Sequence, residues 1–327
     1  MRTLRRVGIL TSGGDCPGLN AAIRAFVKLA LRKGVEVWGF RNGWEGVVEK
    51  NYRRLTARDV SGILPLGGTI LGTSRYNPLR RKGDVERALS TLENLDALVV
   101  IGGNGSIHIA HAFQRMWGKV IFIPKTIDND IWGTESIGFN TAVEVATHLI
   151  DRLHSTAESH RRVFVVQLMG RHTGWITLYA GMAAGADVMV IPEFPIGEEE
   201  IARYVLRRKR MGKSFSIVAV AEGVRYAHQR EQNVGIYLQR YLARVLDIET
   251  RFVEIGYVLR GGTPTAYDRL MAHEMGHLAF VLAEEGRFGC VTAYNGYVER
   301  GVPIERMVGR LKTVPPEEYF AALPYFG

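Results

Sequence analysis

Two carboxylates separated by one residue follow a short apolar run in the first half of the chain. Asp128 and Asp130 stand just after Lys125 and Thr126, and the apolar run at residues 120–123 precedes them. Carboxylates beside a hydroxyl and an ammonium group suit proton abstraction and the handling of a metal ion or a phosphate. An exposed acidic turn would have the same composition, but the position directly after a buried strand favours chemistry.

Two glycine-rich turns have the backbone freedom to approach a phosphate. Gly13 and Gly14 lie within residues 11–20, and the sequence Gly-Gly-Asn-Gly-Ser occupies residues 102–106. Glycine lets the backbone come close to an anion, and a helix that begins at the turn favours negative charge. The first turn has neither the Walker A nor the Gly-x-Gly-x-x-Gly spacing. A plain tight turn explains the first equally well, whereas the density of glycine in the second favours phosphate binding.

Two further turns combine glycine with arginine. Met-Gly-Arg-His-Thr-Gly occupies residues 169–174, and Arg-Gly-Gly-Thr-Pro occupies residues 260–264. Arginine holds phosphate with a planar fork of donors, so both turns are candidates for anion binding. Taken alone, each is equally well explained as a loop with a solvated arginine.

The elements that must position these turns are short apolar strands that alternate with helical segments. Residues 7–11, 97–101 and 163–168 are nearly continuous apolar runs, as is typical of parallel strands covered on both faces. The alternation predicts an α/β fold of two doubly wound three-layer αβα domains, with a cleft between them. Ligands of such folds bind at the carboxyl ends of the strands, which is where these turns lie.

Composition narrows the class of protein. The 327 residues suit about two domains, and two cysteines exclude a disulfide framework and a four-thiolate zinc site. No apolar run reaches the roughly 18–20 residues of a membrane span, and no signal segment is recognisable, so we expect a cytoplasmic protein without a membrane partner. The net charge of +9 permits nucleic-acid binding, but the basic residues are scattered and no motif supports that partner.

Together the turns resemble the phosphofructokinase family over nearly the whole chain. The matching motifs lie at residues 10–15, 17–20, 72–75, 102–106, 126–130, 169–171 and 259–269. The resemblance implies that a phosphoryl group is transferred from ATP to the 1-hydroxyl of fructose 6-phosphate, with Mg²⁺ as the cofactor. It also implies a phosphoryl-donor domain of residues 1–138 plus about 259–307. Residues 139–258 plus about 308–327 would form the sugar-phosphate domain.

The resemblance also assigns roles to residues. The expected catalytic residues are the base Asp128, its partner Asp130, and Thr126 and Arg171 on the moving phosphoryl group. The expected nucleotide-binding residues are Gly14, Arg75, Tyr76, Gly103, Asn104, Gly105 and Ser106. The expected sugar-phosphate contacts are Thr126, Asp128, Arg162, Met169, Gly170, Arg171, Glu222, Arg251, Tyr257 and Arg260. The family's counterparts of Arg162 and Arg251 reach over from a neighbouring subunit, which implies a homotetramer.

The residues that select the donor point to different branches of the family, and the metal site, the sugar site and the regulatory site each depart from the family pattern. Gly105 is typical of ATP users because a side chain there would take the space of a nucleotide phosphate, whereas Lys125 is typical of pyrophosphate users. Asn104 and Asp130 are the expected Mg²⁺ ligands, but Asn104 replaces an acidic residue and predicts weaker metal binding. Tyr257 replaces a histidine. His154, Met211 and Phe215 replace basic residues of the regulatory site, which predicts a weak or absent response to effectors.

Several alternatives stay open on the sequence. Pyrophosphate is the second candidate donor. A low-activity or non-catalytic paralogue is supported by Asn104, although Asp128 and Arg171 argue against it. A nicotinamide-nucleotide or lipid kinase would share a related glycine turn, but the motifs around Arg171 and Arg260 argue against that class.

Overall fold

A computed structural model describes residues 4–327. The chain divides into two compact units. Unit 1 runs to Thr141 and also contains Arg260–Leu311, whereas unit 2 contains Ala142–Leu259 and Lys312–Gly327. The chain therefore leaves unit 1, builds most of unit 2 and then returns.

The strands, in chain order, are β1 (Arg6–Ser12), β2 (Glu36–Phe40), β3 (Tyr52–Arg54), β4 (Ala97–Gly102), β5 (Val120–Pro124), β6 (Val163–Leu168), β7 (Val188–Val190), β8 (Ser216–Ala221), β9 (Thr250–Glu254), β10 (Cys290–Val291) and β11 (Val302–Pro303). The α-helices are α1 (Leu19–Arg32), α2 (Trp44–Val48), α3 (Asp84–Leu92), α4 (Asn104–Trp117), α5 (Phe139–His160), α6 (Trp175–Ala183), α7 (Glu198–Arg210), α8 (Val234–Leu246), α9 (Ala266–Glu284) and α10 (Pro316–Ala322).

Unit 1 is built on a sheet in the order β11-β10-β5-β4-β1-β2-β3. The pairs from β10 to β2 are parallel, and the edge strands β11 and β3 are antiparallel to their neighbours. Every residue of β4 and β5 is buried, which explains why these strands read as continuous apolar runs. Helices α1 and α9 pack closely, and Gly276 permits this approach, since a Cβ there would lie 2.4 Å from the Ala22 carbonyl oxygen.

Unit 2 is built on a fully parallel sheet in the order β7-β8-β6-β9. Strands β6, β7 and β8 are buried along their whole length. The helices α6, α7 and α8 connect successive strands, as parallel pairing requires. Both units thus have the alternating architecture expected from the sequence, and the predicted doubly wound α/β class is confirmed.

Among the helices within residues 4–327, none combines the length and the apolar character that crossing a bilayer needs.

Candidate active site

Three neighbouring strand ends build the candidate site of unit 1. Strands β1, β4 and β5 lie side by side and run parallel, so the turns that follow them emerge at one edge of the sheet. The chain passes from β1 to β2 on one side and later places β4 on the other side of β1. This reversal is the topological switch point at which open α/β sheets bind ligands.

The turn after β1 is held by hydrogen bonds from neighbouring residues, and its two glycines, Gly13 and Gly14, let the backbone adopt this conformation. Gly13 adopts φ 90° and donates its N–H to the Ser74 carbonyl at 2.9 Å, while Thr73 Oγ1 donates to the Gly13 carbonyl at 2.8 Å. A Cβ on Gly14 would lie 2.8 Å from Arg260 Nη1. The structure therefore brings together Gly14 and Arg260, which the sequence assigned to the nucleotide and to the sugar phosphate respectively.

Lys125 lies beneath this same turn. Its side chain is buried, and Nζ donates to the Ser12 carbonyl at 3.2 Å and to the Gly14 carbonyl. Burial lowers the pKa of Lys125; the positive charge of Arg260 lowers it further, and the negative charge of Asp15 opposes the shift. The ammonium group therefore ties the end of β5 to the backbone of the first glycine turn.

Asn104 and Asp130 meet across the ends of β4 and β5. Asn104 Nδ2 donates to Asp130 Oδ2 at 3.0 Å and to the Asp130 carbonyl at 3.2 Å. Asp130 is 6% exposed, and its other oxygen, Oδ1, is buried and accepts no hydrogen bond within residues 4–327. A buried carboxylate oxygen with an open lone pair, next to an amide, is a donor set of the kind that Mg²⁺ accepts. The part of the chain described contains no cluster of three or more His, Cys, Asp or Glu side chains suited to a metal.

The turn that carries Asp128 is stabilised by hydrogen bonds between backbone N–H groups and side-chain oxygens. The Asp128 N–H donates to Thr126 Oγ1 at 3.2 Å, so the Thr126 hydroxyl is fixed against the backbone of Asp128. Asn129 adopts the left-handed φ of 52°, and its Oδ1 accepts the Ser136 N–H at 3.2 Å. Left-handed backbone is tolerated best by glycine and asparagine, which explains asparagine between the two aspartates.

The turn after β4 leads directly into α4. Ser106 Oγ contacts Ser12 Oγ at 3.0 Å and so joins the two glycine turns. A Cβ on Gly103 would lie 3.2 Å from the Lys125 carbonyl oxygen, whereas a Cβ on Gly105 would meet no atom within 4 Å. Gly103 is therefore constrained by packing, but Gly105 faces open space at the start of a helix, where unpaired N–H groups attract anions.

Arg75 and Tyr76 lie in the segment after β3. Arg75 is exposed. Tyr76 Oη donates to the Asp84 carboxylate, which also accepts from Arg87, and this hydrogen bond is the main cause of the raised pKa of Tyr76. The contact between Asp84 and Tyr76 was missed by sequence reasoning, because nothing in the sequence pairs the two residues.

In unit 2, four of the expected sugar-phosphate contacts collect at the carboxyl edge of the sheet. Met169, Gly170 and Arg171 follow β6, and Glu222 follows β8. The Gly223 N–H donates to the Gly170 carbonyl at 3.0 Å, and a Cβ on Gly223 would lie 2.1 Å from the Arg171 carbonyl oxygen. The two turns are therefore in direct contact.

Two more residues belong to this edge of unit 2. Tyr257, which follows β9 in a 3₁₀-helix, is 77% exposed. Glu193, which sequence reasoning missed, accepts the Gly174 N–H at 3.0 Å and the Val314 N–H at 3.0 Å, and so anchors the turn after β6. The sequence offered no motif for Glu193, because its partners are backbone groups.

The remaining two arginines lie at the opposite edge of the same sheet. Arg162 immediately precedes β6, and Arg251 is the second residue of β9, in register with Phe164. The six residues of β6 separate this edge from Met169, a span of about 20 Å of strand. Unit 2 of one chain therefore does not bring Arg162 and Arg251 together with Arg171 and Glu222.

Parallel sheets that carry glycine turns and an acidic pair at their strand ends are typical of a phosphoryl-transfer protein of the α/β class. The sequence model of the phosphofructokinase family, described as "Phosphofructokinase", matches residues 6–283. The chain belongs to the phosphofructokinase family.

Individual relatives agree with this assignment. The chain is 44% identical over 319 residues to an ATP-dependent 6-phosphofructokinase of Bacteroides thetaiotaomicron, with 94% of each chain covered. It is 43% identical to a pyrophosphate–fructose 6-phosphate 1-phosphotransferase of Amycolatopsis methanolica, over 98% of this chain and 100% of the relative. The solved structure of phosphofructokinase from Saccharomyces cerevisiae matches with a TM-score of 0.86 and 31% identity. That match covers 93% of this chain but 45% of the yeast chain, so this chain spans less than half of the yeast chain's length.

Proposed function

We propose that the protein phosphorylates the 1-hydroxyl of fructose 6-phosphate with ATP, giving fructose 1,6-bisphosphate and ADP. The observation that carries the proposal is the near full-length match to relatives named ATP-dependent 6-phosphofructokinase, at 44% and 46% identity. Both glycine turns and the acidic pair lie at one edge of the unit 1 sheet, which supports a phosphoryl-transfer site there. Such a reaction belongs to glycolysis in the cytoplasm.

The choice of ATP rests on Gly105. The space beside its Cα is open, so a nucleotide phosphate can approach the first turn of α4 without meeting a side chain. Lys125, which favoured pyrophosphate on the sequence, donates to two backbone carbonyls of the first glycine turn. This contact supports a role for Lys125 in shaping the donor site under either donor. Pyrophosphate stays the second candidate, because a relative named for it is 43% identical to this chain.

Asp128 is the proposed general base. It takes the proton of the 1-hydroxyl as that oxygen attacks the donor phosphorus, a contribution of about 10²–10⁴ in rate. Thr126 and Arg171 donate to the oxygens of the transferred phosphoryl group, where positioned donors stabilise the spreading negative charge. The hydrogen bond from the Asp128 N–H to Thr126 Oγ1 supports this pairing of roles.

Asp130 and Asn104 are the proposed Mg²⁺ ligands. The buried, open Oδ1 of Asp130 fits a cation, whereas the amide of Asn104 currently donates to the same carboxylate. Mg²⁺, when bound, neutralises donor phosphate charge. Asn104 supplies one neutral oxygen in place of a charged one, so we expect weak metal binding.

The sugar phosphate is the proposed ligand of the arginines, and the site is proposed to be shared between subunits of a homotetramer. Arg162 lies about 20 Å along β6 from the carboxyl edge of unit 2, and Arg251, in register with Phe164, lies about 13 Å from it. A second chain supplies them more readily than a rearrangement of one parallel sheet. Sedimentation of the purified chain tests this assembly, and a monomer with full activity would contradict it.

A non-catalytic paralogue is the second candidate function, and Asn104 at the metal site favours it. Assays of fructose 6-phosphate phosphorylation with ATP and with pyrophosphate, side by side and at a series of Mg²⁺ concentrations, separate the candidates. The proposal expects activity with ATP that exceeds activity with pyrophosphate. Higher activity with pyrophosphate would reverse the donor, and activity with neither would favour the paralogue.

A further inference from the structure

One carboxylate joins the two arginines at the amino edge of unit 2. Glu249 Oε2 lies 2.8 Å from Arg162 Nε, and Glu249 Oε1 pairs with Arg251 Nη2. Each oxygen therefore holds one guanidinium group. The side chains of Arg162, Glu249 and Arg251 are 22%, 45% and 55% exposed, so the cluster is open to a ligand from solvent.

The backbone fixes this cluster in place. The Val163 N–H donates to the Glu249 carbonyl at 3.0 Å, and the Arg162 N–H donates to the Ala157 carbonyl at 3.0 Å. Glu249 and Arg251 flank Thr250, a buried residue that is in register with Val163. The carboxylate and both guanidinium groups thus project from backbone held in the sheet.

Glu249 approaches a different nitrogen in each of the two guanidinium groups. Glu249 makes its shortest contact with Arg162 at Nε, at 2.8 Å. It uses one terminal nitrogen of Arg251. A guanidinium group presents five N–H donors in a rigid fork, so one edge can bind a carboxylate while another binds a phosphate.

We propose that Glu249 is a positioning residue that orients Arg162 and Arg251 for the phosphate group of the sugar substrate. The inference rests on the proposed function, in which these arginines bind the 6-phosphate of fructose 6-phosphate. In this role Glu249 contacts the two arginines rather than the substrate. It restricts two long side chains whose rotamer freedom would otherwise be lost on binding, so the free energy of binding is more favourable.

A carboxylate beside a phosphate site has an opposing effect that must be weighed. Its negative charge repels a phosphate dianion, and if repulsion prevailed, removing the charge would tighten binding. Glu249 is neutralised by two guanidinium groups, which also lower its pKa through the hydrogen bond from Arg162 and the charges of both arginines. Because the charge of Glu249 is compensated, its orientation of the two arginines affects phosphate binding more than its repulsion of the phosphate does.

Glu249→Gln tests the proposal, because the amide keeps the size of the side chain but loses one acceptor and the charge. We expect the KM for fructose 6-phosphate and its calorimetric Kd to rise about threefold to tenfold, as for a partly exposed ion pair. The kcat and the KM for ATP should change by less than about twofold, because neither depends on the orientation of these arginines. Glu249→Asp, which retains the charge, should recover part of the affinity.

Two controls separate positioning from general structural damage. Glu285→Gln breaks another partly exposed pair, Glu285 with Arg287 at 3.6 Å, and should leave all constants unchanged. In the double variant with Arg251→Gln, the effects on Kd should be less than additive, because Glu249 acts partly through Arg251.

The outcomes are distinguishable. An unchanged or lower Kd in Glu249→Gln, or additive effects in the double variant, would overturn the positioning role while leaving the proposed function intact. A wild-type protein that binds no fructose 6-phosphate would overturn the proposed function and this inference together.

Discussion

Replacing Asn104 by aspartate tests the metal site of unit 1 most sharply. The amide donates to Asp130 at 3.0 and 3.2 Å, and Asp130 is 6% exposed. Asn104→Asp removes the donor, and a lost hydrogen bond to a charged group costs about 1.5–3 kcal/mol. It also places a second carboxylate beside the first, and two unit charges about 4 Å apart repel by about 4 kcal/mol at an effective dielectric constant near 20. Proton uptake by one carboxyl limits this repulsion.

The variant should therefore be less stable than the wild type without divalent cations and should recover with Mg²⁺. A loss of about 2 kcal/mol corresponds to about 4–8 °C in unfolding temperature for domains of 150–250 residues. Bound Mg²⁺ neutralises both carboxylates and adds about 2.7 kcal/mol at a concentration one hundred times Kd. The added charged ligand should lower the Mg²⁺ concentration for half-maximal activity about tenfold, equal to about 1.4 kcal/mol, and should raise turnover.

Thermal unfolding with a chelator and with a Mg²⁺ series, followed by turnover over the same series, measures both effects. Asn94→Asp is the matched control, since Asn94 is exposed in the turn after α3 and its amide donates to the Ser90 and Thr91 carbonyls of that helix. The control should show no Mg²⁺-dependent recovery. If Asn104→Asp also lacks recovery, or if its turnover at saturating Mg²⁺ is unchanged or lower, the assignment of Asn104 and Asp130 to the metal is wrong.

Three further predictions concern the donor, the pH dependence and regulation. Gly105→Asp should fold, because a Cβ at this position would meet no atom within 4 Å. The aspartate side chain should occupy the space of a nucleotide phosphate and so lower kcat/KM for ATP more than for pyrophosphate. Equal losses with the two donors would contradict this steric argument. Burial lowers the pKa of Lys125 below its usual 10.5, so the unfolded chain binds this proton more tightly and stability rises with pH between the folded pKa and 10.5. Lys125→Met should flatten that alkaline rise in urea unfolding, and an unchanged slope would refute the burial effect. His154 Nε2 lies 2.7 Å from the Ala184 carbonyl oxygen, and its ring packs edge-on against Phe215. Because these two residues stand where basic residues would bind an anionic effector, phosphoenolpyruvate and ADP should shift the KM for fructose 6-phosphate by less than about twofold. A large shift of this KM in a substrate titration would contradict the prediction.

The fold was predictable because buried parallel strands leave a strong local signal. The runs at residues 97–101 and 163–168 are apolar except for Gln167, and both form strands buried along their whole length. The motif turns were predictable for a related reason. Glycines whose Cβ would meet backbone atoms, such as Gly170 at 2.6 Å from the Thr173 carbonyl oxygen, must appear as glycine in the sequence.

The supporting contacts of the candidate site were not predictable, because they join residues that are distant in sequence or use backbone groups. Lys125 carried a motif, but its contact with the Ser12 and Gly14 carbonyls spans more than a hundred residues and has no local pattern. Glu249 stands two residues before Arg251, yet its second contact, with Arg162, arises from the pairing of β6 with β9. Register between strands is a tertiary property, and the sequence motif does not contain it.

The identity of the product tests the central claim most directly. Purified protein with fructose 6-phosphate, ATP and Mg²⁺ should give fructose 1,6-bisphosphate and ADP in equal amounts. Phosphorus NMR identifies and quantifies both products. Asp128→Asn should form the product at least about a hundredfold more slowly, as expected for loss of a general base. No bisphosphate from the wild type with either ATP or pyrophosphate, or phosphorylation of a hydroxyl other than the 1-hydroxyl, would contradict the account.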